Sequence, residues 1–64
     1  MTLDKAREYL QTQISLGSGY NRNSAKLILA EVLREHGQAA VDQLIRELEL
    51  ETHFGFKPGE TITI

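Results

Sequence analysis

Apolar residues recur at three- and four-residue steps through the first fifty positions of this chain, and after that the step shortens to two. Leu3, Ala6, Leu10 and Ile14 fall on one stripe at about 100° per residue, the spacing of an amphipathic helix. Thr2 stands where an N-cap belongs, and Asp4 lies in the first turn, where an acid complements the helix dipole. Gly17 is a natural stop. The first helix is therefore predicted over about residues 3–16, and GSGYNRN, built of turn formers, connects it to the next.

A second helix is predicted over about 24–36, with Asn21, Asn23 or Ser24 available as its cap. Ala25, Ile28, Leu29, Val32, Leu33 and His36 share its apolar face, and Gly37 ends it. A third is predicted over about 38–51, with Val41, Leu44, Ile45 and Leu48 as its stripe and an Asp42 to Arg46 pair at i,i+4 on its outer side. Two leucines depart from the pattern. Leu27 lies nearly opposite the second stripe and Leu50 nearly opposite the third, while Tyr9 and Leu16 sit to one side of the first helix. Single exposed apolar residues are ordinary. The sharper reading is a second apolar surface, of the kind through which small helical chains dimerise.

From residue 53 the grammar changes. Phe54 and Phe56 flank Gly55, and Lys57-Pro58-Gly59-Glu60 puts Pro and Gly at the centre of a type II turn. Thr61-Ile62-Thr63-Ile64 then alternates like a strand. The fold expected is mainly α: three short amphipathic helices in a small bundle, closed by a C-terminal β-turn and a short strand or hairpin over 53–64. In the hairpin, residues 53–56 pair with 61–64. An isolated hairpin is marginal in water, and an open strand edge invites another chain.

Length narrows the picture. Sixty-four residues make one small domain, 1–64, with 57–64 as its tail. A chain of that size buries only about 60% of the surface it exposes when unfolded. Oligomerisation, disulfides or a structural metal are the usual remedies. The chain has no Cys, which removes disulfides and thiolate metal sites. Neither a leader pattern nor a run of roughly 18 apolar residues is present, so the expectation is a soluble, cytoplasmic protein with no membrane contact. Net charge is −2, and the middle of the chain is the acidic part. Residues 25–51 hold Glu31, Glu35, Asp42, Glu47, Glu49 and Glu51 against Lys26, Arg34 and Arg46. Such a field repels phosphate backbones.

Chemistry-bearing patterns are sparse. GSGYNRNS is a glycine-rich loop entering a helix, a generic anion site, with Arg22 and Lys26 as charges and Tyr20 as a stacking face. It lacks GK[ST] and comes after a helix, so a capped interhelical turn explains it as well. The second and third helices around Gly37 resemble a helix-turn-helix in outline, but QAAVDQLIRELELE would bring four acids and one Arg to a phosphate-lined groove. His36 is placed on the buried side of its helix, near free terminal carbonyls. His53 with Glu49 makes only a two-ligand half-site. No Ser, His and acid cluster is implied by spacing, and so small a chain has little room for a substrate pocket.

The expectation is a non-enzymatic interaction or regulatory protein, with no cofactor, metal or small-molecule substrate implied. It acts as a homodimer or as a subunit bound to another protein. Its contact surface is predicted from Leu27, Leu50, Phe54, Phe56, Ile62 and Ile64, because aromatic anchors beside apolar residues make interface hot spots. The alternative is a nucleic-acid-binding regulator of helix-turn-helix type using Tyr20, Arg22 and Lys26.

Overall fold

The computed structural model describes residues 1–17, 21–60 and 62. Four α-helices run through them: α1 (Leu3–Ser15), α2 (Arg22–His36), α3 (Gln38–Glu47) and α4 (Leu50–Phe54). α1 packs on α2, α2 on α3 and α3 on α4, giving a small, mainly helical bundle. None of the described helices is long and apolar enough to cross a membrane.

The first two helices form where the apolar spacing puts them. Thr2 caps α1 by accepting a hydrogen bond from the Lys5 N–H at 3.1 Å, and Ala6 and Leu10 are fully buried. α2 starts two residues earlier than predicted and makes no side-chain cap bond. Asn21 at its N-cap position turns the other way. Its amide donates to Gln13 O at 3.2 Å, a carbonyl of the last turn of α1, and to Gly17 O at 2.7 Å just beyond that helix. The interhelical loop is thus clipped to the helix before it.

α2 and α3 are joined by one residue. Gly37 has φ 91° and ψ 174°, a backbone region essentially closed to any residue with a Cβ. Its N–H still donates to Leu33 O at 3.0 Å, and its carbonyl accepts from Val41 N–H at 3.4 Å. Ala25, Leu29 and Val32 on one side of this corner meet Val41, Leu44 and Ile45 on the other in one core. His36 stands outside that core. Predicted on the buried side of α2, it is exposed, and its ring Nε2 donates to Met1 O at 2.9 Å, which requires the proton on that nitrogen.

The single helix predicted over 38–51 is broken. α3 ends at Glu47, Leu48 takes φ −100° and ψ 5°, and Glu49 adopts the left-handed conformation at φ 54°, with its N–H on Arg46 O at 3.4 Å. A non-glycine residue there costs roughly 1–2 kcal/mol. The turn re-aims the next segment. Leu50, nearly opposite the apolar stripe of an unbroken helix, becomes fully buried at the start of α4, and Phe54 one turn later is buried with it.

The predicted C-terminal strand and hairpin are not formed among the described residues. His53 and Phe54 belong to α4, so the segment meant as the first strand is occupied. Gly55 reverses the chain at φ 81°, which sets the Phe56 ring 6.2 Å from that of Phe54. Phe56 is only 2% exposed and Ile62 7%, so the tail closes over the bundle as part of its core.

Two substitutions test the backbone corners, each read from urea or thermal unfolding. Gly37→Ala meets no atom within 4 Å of the added Cβ, so its effect is backbone strain alone, an expected loss of roughly 1–3 kcal/mol. Glu49→Gly relieves the left-handed strain against a smaller entropy cost in the unfolded chain, and a net gain on the order of 0.5 kcal/mol is expected.

Candidate interaction surface

The polar side chains nearest the tail decide where it lies. Asp42 does not pair with Arg46 as an outer-face helix pair. Its Oδ1 accepts from Gly59 N–H at 2.7 Å and from Gln38 Nε2 at 2.9 Å, and Gln38 Nε2 also donates to Glu60 O at 3.1 Å. Pro58 and Gly59 sit in a turn with Glu60 N–H on Lys57 O at 3.2 Å. The backbone N–H of Gly59, then the Gln38 amide, hold the Asp42 carboxyl below its ordinary range. This latch fixes the tail against the first half of α3.

Arg22 anchors the tail's root. Its Nε donates to Phe54 O at 2.9 Å, and its guanidinium carbon lies 4.6 Å from the centre of the Phe56 ring. One planar cation therefore caps the C-terminus of α4 and covers the buried aromatic ring. That is the residue predicted as an anion or nucleic-acid contact, and it is engaged inside the chain. Lys26 is half-buried and makes no ion pair among the described residues, while Tyr20 lies outside them.

Ion pairs of Arg7 and of the Met1 ammonium also tie distant parts together. Arg7 forks onto Glu47 through Nε and through Nη2 at 3.2 Å, and its Nη1 reaches Asp4 at 2.8 Å, linking α1 to the end of α3. The Met1 ammonium donates to both Glu35 oxygens, at 2.7 and 2.9 Å, and that bond keeps the Glu35 carboxyl below its usual range. Among the described residues, no three His, Asp or Glu side chains converge as a metal site would need.

Of the residues predicted for a contact surface, the structure buries Leu50, Phe54, Phe56 and Ile62 in the chain's own core. Ile64 lies outside the described residues. Leu27 alone is exposed, at 55%. It lines an open groove of about 410 Å³ together with Ala30, Glu31 and Arg34 of α2, and the tail brings Ile62 to its other wall. Arg34 Nη2 donates to Glu31 Oε1 within the groove lining. Leu27, Ala30, Glu31 and Arg34 succeed one another at the three- and four-residue steps of a second helical stripe, opposite the one that carries Leu29 and Val32. Ala30, Glu31 and Arg34 were legible from Leu27 by that spacing. The Ile62 wall was not, because it depends on the latch at Asp42.

Among the described residues, the groove lining holds Leu27, Ala30 and Ile62 as its apolar part and one charge of each sign, Glu31 and Arg34. Tyr9 on α1 and Leu16 at its C-cap are also exposed, and neither lines the groove. Comparisons with protein-family models, with curated proteins and with solved structures return no match, so the functional reading rests on this geometry.

The folded-state carboxyls of Asp42 and Glu35 lie below their unfolded values. Their stabilisation is therefore present above the ordinary carboxylate range and lost as pH falls through the depressed values. The urea midpoint is expected to hold steady above about pH 5 and to decline below about pH 4, with a shallower decline in Asp42→Ala. For the tail's root, Arg22→Ala should cost about 1–2 kcal/mol by urea unfolding, since it removes a charged hydrogen bond and the ring contact. Arg22→Lys should recover less than half of it, because an ammonium lacks the planar fork.

Proposed function

We propose that this chain is a small protein-interaction or regulatory protein that acts as a homodimer, with the outer face of α2 as its contact surface. The observation that carries this reading is the groove at Leu27. A domain with so little core keeps a large apolar side chain in water beside a shaped, mixed-polarity recess, where a single polar residue would cost nothing in folding. The tail supports the contact, because Ile62 forms one wall of the recess and Phe56 is buried with it in the core.

One helix face is a small area, so the association is weak and concentration-dependent. Light scattering or sedimentation over a wide concentration range should show the mass rising from one 7.2 kDa chain toward two. Leu27→Asp should hold the mass at one chain while leaving the helical circular dichroism and unfolding midpoint unchanged. A wild-type chain that stays at single mass up to millimolar concentration would refute the reading.

A further inference from the structure

We draw no further inference here: the strongest candidate, the open groove on the outer face of α2 between Leu27 and Ile62, is the surface already described, and nothing in the structure shows what covers it.

Discussion

The left-handed turn at Glu49 is the constraint on which the rest of this small structure depends. A continuous helix through residue 51 would carry Leu50 into solvent and send the chain away from the bundle. With Glu49 at φ 54°, α4 leaves at a new angle, and Leu50 and Phe54 point back into the core. The second reversal, at Gly55, comes within six residues and brings Phe56 in beside Phe54. Large-to-small changes at buried leucine or phenylalanine positions typically cost about 2–5 kcal/mol each. Burying these three side chains outweighs the roughly 1–2 kcal/mol of a non-glycine residue in that conformation.

The polar contacts then hold the segments that the backbone turns have placed. Arg22 covers Phe56 and caps α4, Asp42 and Gln38 seize the turn at Gly59, and Arg7 bridges α1 to Glu47. Each joins segments far apart in sequence. None is a deeply buried charge, so each retains part of its hydration and none carries the desolvation penalty of a buried ion pair. In a chain with no disulfide, such ties supply restraint that a core of this size cannot give by area alone.

Once the tail is folded over the bundle, Phe54 and Phe56 are no longer on offer to a partner, and the large apolar side chain left exposed on α2 beside the tail is Leu27. That side chain and the Ile62 wall belong to different parts of the chain, and the latch at Asp42 brings them together. The candidate surface is therefore a product of the fold's last segment, although the residues that give it charge and floor all lie on α2.

The helical stripes were determined locally. Ala6 and Leu10, Ala25, Leu29 and Val32, and Val41, Leu44 and Ile45 are buried where a 3.6-residue period places them, and Leu27, Tyr9 and Leu16 are exposed for the same reason. That much comes from side-chain spacing on a regular backbone, which needs no knowledge of the neighbours. The break at Glu49, the α-helical state of His53 and Phe54, and the internal use of Arg22 answer to no local signal. A glutamate carries no preference for the left-handed region, and an arginine beside a glycine-rich loop looks the same whether it awaits an anion or covers a ring. Those choices were made by the tertiary structure, because only the assembled core offers Leu50, Phe54 and Phe56 enough buried surface to outweigh the local propensities.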